Sequence, residues 1–507
     1  MEQTDLANIS ESTKFDSISK EELIRKYTLL ETELAFAIKE IYRLKNQNLT
    51  DSQLGLILAE QLGELQQKLY GSSSERYKKP EEKEKKSDPP KPRIKRPSER
   101  YPNIPVREEV VSFPETPLCD ACGEALVDSG MTEESEQLTV IPKKFEIVKF
   151  IRPKFRCRCH GCVKTAALPP RIIEGSSYSD EMIIDVVASK YCDLIPIERY
   201  VQMASRCGLK NLPPQSLIEL THQFARFIGL SYQQIRDGVL GSKVIHADET
   251  PHKMLEGSDS NSWYLWGFST PVLCFFEAHD TRSGDVASDI LLNSQCQVLV
   301  TDVFSGYGKA IRESNVVRKE KGQNEIKNAN CNSHSRRYFF KPRNSYQEAE
   351  FYLEHYHQIY RLDAQSKGKP PDEVLKIRSK MRIHFEEMRK RAIEELPRFP
   401  NKNKFQKALS YFLGNYMGLT LFLDHPDVPI DNNPQERLLR SPVVGRKTWY
   451  GTHSERGAET AAILFSIIET CKINKVNPRE YLKKLVQDLH QGKAPYTPKD
   501  FKELTQS

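Results

Sequence analysis

Two short apolar runs that each close on an aspartate, KVIHAD ending at Asp248 and QVLVTD ending at Asp302, constrain this chain more than any other feature. Between them lie SWYLWGFST and VLCFFEAHD, rich in aromatic and β-branched residues, and the helical stretch DVASDILLN. Runs of this length and composition read as strands, so the segment is expected to form a mixed α/β sheet. A carboxylate at a strand end in such a sheet faces the crevice where ligands collect, and two neighbouring strands would bring both aspartates to one spot. Taken singly, either aspartate reads more readily as a turn former or helix cap. Taken together, they offer hard oxygen ligands of the kind magnesium accepts while bridging phosphates, and paired ions of this kind serve in-line displacement at a phosphodiester.

The chain has 507 residues, more than one core usually holds, so several packing units are expected. From Leu23 apolar residues recur every seven positions, at Leu23, Leu30, Ala37 and Leu44 with Tyr27, Leu34 and Ile41 as the second seam. Leu58, Leu62, Leu65 and Leu69 continue in helical spacing. Residues 1–71 therefore read as a helical hairpin or coiled coil able to pair with a second copy. Residues 72–100 form a basic, proline-containing linker: positions 75–100 carry eleven Lys or Arg against six Asp or Glu, nearly the whole of the formal net charge of +6. Such a segment can lie along phosphates. Residues 176–240 are helical, with breaks at Pro196 and at Gly208 to Pro214, and fit either a helix-turn-helix reader of DNA or a plain bundle. The sheet occupies 241–344, a charged helical insertion 345–428, and a second part of the core with C-terminal helices 429–507. No basic, apolar leader opens the sequence and no apolar run approaches the ~20 residues needed to span a bilayer, so a cytoplasmic, nucleoid-associated protein without membrane contact is expected.

Five of the eleven cysteines fall between Cys119 and Cys162. Cys119 with Cys122, and Cys159 with Cys162, make two CxxC knuckles in a unit spanning 101–175, and four thiolates in this arrangement close a tetrahedral structural zinc site. In CRCHGC, Cys157 and His160 offer alternative ligands.

A third acid is available in IDNNPQERLLR. Glu436 is one candidate and Asp431 the other, and local spacing does not choose between them. Glu436 also fits a capping box with Asn433 as N-cap and Pro434 at the first helical position. Around these acids the sequence gathers His334, Arg336 and Arg337 in CNSHSRRYF, then Arg437, Arg440, Arg446, Lys447 and Trp449. Arginine forks suit DNA phosphates, and an aromatic such as Trp449 suits stacking on an unpaired base.

These segments resemble the transposases of the insertion sequence 66 family. The resemblance covers most of the chain and rests on LYGSSSER, CDACGEAL, RPKFRCRCHGC with LPPR, SKYCDLIPIERY, HADETP, TDVFSGY, CNSHSRRYF, IDNNPQERLLR with VGRKTWYGTHSERGAE, and IIETCKINKVNPREYL. It implies a ribonuclease H-like fold with a helical insertion before the glutamate, and a DDE triad of Asp248, Asp302 and Glu436 using magnesium or manganese. It further implies cleavage and joining of double-stranded DNA at terminal inverted repeats and in a target. A homo-oligomer, small accessory proteins and zinc in the cysteine unit complete the expectation. Where the family usually shows glycine and tyrosine after the second aspartate, this chain has Val303 and Phe304, for which altered packing is expected.

Overall fold

The computed structural model describes residues 96–110, 120, 123–125, 134–141, 143–156, 162–255, 262–399 and 403–506. The heptad segment and most of the basic linker lie outside them. Two compact units result, the smaller comprising Ser73–Lys149 with Cys207–Leu209, the larger including Phe150–Arg206 and Lys210–Ser507. Within the smaller unit a single turn of helix, Pro97–Arg100, is held by Glu136, which accepts from Ser98 N and Ser98 Oγ at 2.8 Å each. The larger unit opens on an antiparallel ribbon of Lys154–Arg156 with Val163–Thr165.

Four helices follow, α1 (Asp180–Tyr191), α2 (Ile197–Arg206), α3 (Pro214–Phe227) and α4 (Gly229–Leu240), with interruptions at the proline and glycine breaks visible in the sequence. Helix α1 starts on a Ser179 cap that accepts from Met182 N, and it buries Ile183, Ile184, Val186, Val187 and Tyr191. A helix so widely apolar belongs inside a bundle.

The sheet comprises β1 (Val244–Lys253), β2 (Ser262–Ser269), β3 (Cys274–His279), β4 (Val298–Thr301) and β5 (Lys327–Asn330), in the order β3-β2-β1-β4-β5. The first three form an antiparallel meander, and β4 and β5 run parallel to β1. All four residues of β4 are buried, as expected for a strand covered on both faces. Helix α5 (Gly284–Leu292) leads into β4, and α6 (Ser305–Glu320) connects β4 to β5.

After β5 come α7 (Asn332–Phe340), α8 (Ala349–Ser366), α9 (Pro371–Glu395), α10 (Lys404–Gly414) and α11 (Tyr416–Thr420). The insertion, charged outside, has an aromatic interior of Tyr352, Tyr356, Phe385, Phe405 and Phe412 that packs on Phe339 of α7 and is continuous with Val298, Val300 and Ala329 of the sheet. It therefore packs on the β4–β5 side and returns the chain to α12 (Asn433–Leu438) and α13 (Arg440–Trp449).

Helix α14 (Glu455–Ile473) covers the edge strand β3 and is followed by α15 (Pro478–His490). Its hydroxyls complete the strand's backbone pairing: Ser466 Oγ accepts from Phe276 N at 2.8 Å, while Thr470 Oγ1 accepts from Cys274 N at 3.1 Å and donates to Cys274 O at 3.0 Å. An edge that would otherwise expose unpaired groups is closed by side chains. Helices α1, α3 and α4 pack on α14, and α1 also on α15, so region 176–240 forms a helical layer against the sheet edge.

Candidate active site

The register of two parallel strands levels Asp248 with Asp302. The β1–β4 ladder ends with His246 opposite Val300, and each aspartate follows two residues later. Side chains two apart on a strand share a face, so the continued register brings both acids to one side of the sheet. Asp302, just past β4, accepts at Oδ1 from Phe304 N at 3.0 Å; Asp248 Oδ1 accepts from Glu249 N at 2.9 Å. Burial first, then the negative charges of Glu249, Asp302 and Glu436, push the Asp248 carboxyl up to about 8.

Glu436 comes from helix α12, which packs on β1 and β2. The helix begins one residue earlier than the capping-box reading requires: Asn432 is the N-cap and no side chain caps the end. Glu436 is thereby shifted one position along the helix, and its Oε1 is buried without a hydrogen bond, 3.7 Å from His334 Nδ1. Asp431 is differently engaged. Its Oδ1 accepts from Asn433 N at 3.1 Å, and its Oδ2 accepts from Asn433 Nδ2 at 2.6 Å and from Tyr360 OH at 3.2 Å. It closes the turn before α12, and burial raises its pKa, whereas Glu436 is the acid whose charge reaches Asp248.

Several residues that local pattern did not single out build this arrangement. Asn432 bridges to His246 and to the carbonyl of Ala247, and its backbone N donates to Cys331 Sγ at 3.2 Å. Gly267 stands opposite Asp248 on β2, where a Cβ would collide with the Gln435 amide and the Phe276 ring. Glu249, with a side chain only 2% exposed, accepts from Arg282 Nε and Nη2 at 2.8 and 2.6 Å and from Tyr307 OH at 2.6 Å. Phe304 supports that network, its ring 4.1 Å beneath the Arg282 guanidinium and edge-on to Tyr307. Phe304 thus takes part in this packing, and Asp302 stays at the end of β4.

The residues present fit a divalent cation. Three carboxylates supply hard oxygen donors, and Glu436 Oε1 and His334 Nδ1 are buried polar atoms without hydrogen-bond partners. Cys331, His334 and Glu436 each offer a ligand atom within 4.8 Å of the others, a tight set that does not include the aspartates. Asp248 shares its field with Asp302 and Glu436, and positive charge between them would offset the like-charge repulsion.

The basic residues are dispersed around this centre. Arg437, Arg440 and Lys447 are exposed on α12 and α13. Arg336 lies over Phe340 at 5.6 Å, and both it and Arg337 are half-buried on α7. Arg446 donates to Pro251 O on β1. Trp449 is half-buried: Tyr191 meets its ring edge-on at 6.2 Å, Phe465 stacks on it at 6.5 Å, and Lys190 Nζ lies 5.6 Å away. In the cysteine unit, Cys162 is exposed, while Cys119, Cys122, Cys157, Cys159 and His160 lie outside the described residues.

Fold and site together define a mixed α/β protein with a five-stranded mixed sheet, many helices and a helical insertion between β5 and the helix that bears Glu436. A model of the family described as "Transposase IS66 family" matches residues 175–460, "zinc-finger binding domain of transposase IS66" matches 117–160, and "IS66 C-terminal element" matches 466–505. The chain belongs to the IS66 transposase family and carries its zinc-finger and C-terminal elements. The zinc-finger match includes Cys119, Cys122, Cys157, Cys159 and His160 and ends before Cys162. The chain is also similar to two proteins of Sinorhizobium fredii. "Uncharacterized protein y4qI" is 27% identical over 91% of each chain, and "Uncharacterized protein y4hP" is 23% identical over 75% of this chain and 72% of that protein. No helix of the described residues is long and apolar enough to cross a membrane.

Proposed function

We propose that the chain is a DDE transposase that cleaves double-stranded DNA at the terminal inverted repeats of an insertion sequence and joins those ends to target DNA. The observation that carries this reading is the parallel β1–β4 register that levels Asp248 with Asp302, together with the packing on β1 and β2 of helix α12, which bears Glu436. In this reading the sheet is ribonuclease H-like, supported by its mixed five-stranded order and by the insertion before Glu436. Magnesium or manganese held by these three acids would supply positive charge at the attacking and leaving oxygens of the phosphodiester. Asp248 and Asp302 fix the acidic edge from the rigid sheet, and Glu436 closes on it from α12. His334, beside Glu436, is positioned to orient a phosphate or carry a proton. Exposed Arg437, Arg440 and Lys447 neutralise the DNA backbone. Structural zinc in the cysteine unit, self-association through the heptads of residues 1–71 and small accessory proteins belong to the same reading.

The test uses full-length protein, magnesium and a duplex carrying the inverted repeats that flank its coding region. Expected are cleavage at the repeat end and joining of a supplied 3′-hydroxyl end to a second duplex. Asp248→Asn, Asp302→Asn and Glu436→Gln should abolish both while duplex binding persists. Cleavage without joining would identify a nuclease, and binding with neither activity an idle DNA-binding protein; either outcome overturns the proposal.

A further inference from the structure

The helical insertion carries a second grouping of metal-ligating side chains that the acidic centre does not use. His355 stands on α8, and His384 and Glu387 stand on α9 three residues apart, hence on one face of that helix. His355 Nδ1 lies 3.0 Å from His384 Nδ1, and His355 Nε2 lies 3.7 Å from Glu387 Oε2. One ligand atom from each residue falls within 4.8 Å of the other two. The two helices pack against each other, and Tyr352 OH donates to Glu395 Oε2 at 2.8 Å further along the pair.

We infer that His355, His384 and Glu387 form a binding site for a late first-row divalent ion of the zinc type, clamping α8 to α9 within the insertion. Two imidazole nitrogens facing each other this closely need a proton or a cation between them, because their lone pairs otherwise oppose. A tetrahedral ion with Zn–N bonds of about 2.0–2.1 Å sets two nitrogen ligands about 3.3 Å apart, so a shift of a few tenths of an ångström admits it. Two histidines and one glutamate make a recognised zinc donor set, leaving the fourth position for water. Imidazole selects zinc, copper or nickel over magnesium and calcium, which prefer oxygen ligands throughout.

The surroundings favour the same assignment. The His355 side chain is 13% exposed, and its ring is flanked by Phe351 at 4.2 Å between centroids, so its position is fixed. Glu387 is 57% exposed and free to turn onto an ion arriving from solvent. The nearby cation Arg391 is turned to Glu395, with Nε 2.6 Å from Oε1. This inference is independent of what the acidic centre does to DNA.

Cobalt(II) titration of the full-length protein tests it. The cysteine unit is first loaded with zinc and excess magnesium is kept present, near neutral pH. Expected is one equivalent of bound cobalt with visible d–d absorption and no thiolate charge-transfer band, absent in His384→Ala. Removing even a hydrogen-bonding partner of a metal ligand costs about 10–100-fold in affinity, so Glu387→Gln should weaken binding at least about tenfold. Because Glu387 is exposed, that variant keeps the fold. Amide exchange in 349–366 and 371–395 should slow with the metal in the native chain and stay unchanged by it in His384→Ala. Equal stoichiometry and affinity in all three proteins would overturn the inference and leave a proton-shared histidine pair.

Discussion

Asn432 Oδ1 lies 2.8 Å from His246 Nδ1 while Asn432 Nδ2 donates to Ala247 O at 2.9 Å, so one buried amide ties the start of α12 to the strand bearing Asp248. Because Oδ1 is the acceptor, His246 Nδ1 carries the proton. The tie fixes where Glu436 enters the site after the chain has traversed the whole insertion. Leaving a buried polar partner unpaired costs about 1–3 kcal/mol. Asn432→Ala is therefore expected to destabilise the larger unit by about 2–4 kcal/mol and to lower DNA cleavage beyond the loss of folded protein. Denaturant unfolding and cleavage per folded molecule measure the two effects; native stability in the variant would show the tie to be idle.

Gly267 has a local reason to be glycine. Its position opposite Asp248 is where the Gln435 amide and the Phe276 ring approach the strand. Gly267→Ala overpacks this contact, for which about 1–3 kcal/mol is expected. Gln435 makes no hydrogen bond with either amide atom, so Gln435→Ala in the same chain should recover part of the stability by clearing the space. Thermal melting of the two single variants and the double variant reads the coupling, and strictly additive losses would argue against this contact.

Tyr307 OH holds the buried Glu249 carboxylate from the side opposite Arg282. A hydrogen bond to a charged group is worth about 1.5–3 kcal/mol, and Tyr307→Phe should cost that much while leaving the ring packing intact. Arg282→Ala should cost more, since it leaves a buried charge without its ion partner. Equal unfolding midpoints for wild type and Tyr307→Phe would remove Tyr307 from this account.

What the sequence made legible follows the range of the interaction. The four apolar strands and the helix before β4 were readable because their own composition dictates them. Strand β5, Lys327-Asn-Ala-Asn330, carries one apolar residue and exists through its pairing with β4. Asp302 stands just past the end of β4 as its sequence suggests, whereas Asp248 lies inside β1, which runs on to Lys253 because β2 pairs with it beyond the aspartate; the different settings of Glu436 and Asp431 depend on a helix start one residue from where local rules put it. The role of Asn432 depends on His246, 186 residues away. The ring contacts of Trp449 with Tyr191 and Phe465 likewise join residues far apart in sequence. In each case the surroundings come from partners that a local motif does not show.

Asp248 links the charge cluster to a measurable pH dependence. Its carboxyl titrates near 8 in the folded chain against 3.8 unperturbed, raised first by burial and then by Glu249, Asp302 and Glu436. The folded state therefore holds a proton that the unfolded chain releases. The stability this proton contributes is complete below about pH 4 and is lost as pH rises toward and through 8. Asp248→Asn removes that loss: in chelator the variant should melt several degrees above wild type at pH 8, with the gap closing toward pH 4. A bound cation favours the carboxylate form, so magnesium should raise the wild-type midpoint more at pH 8 than at pH 6, with proton uptake by buffer on binding. The variant should respond far less. Parallel pH profiles for the two proteins, with and without magnesium, would mean that burial and the neighbouring acids do not hold Asp248 protonated and that no cation is seated among them.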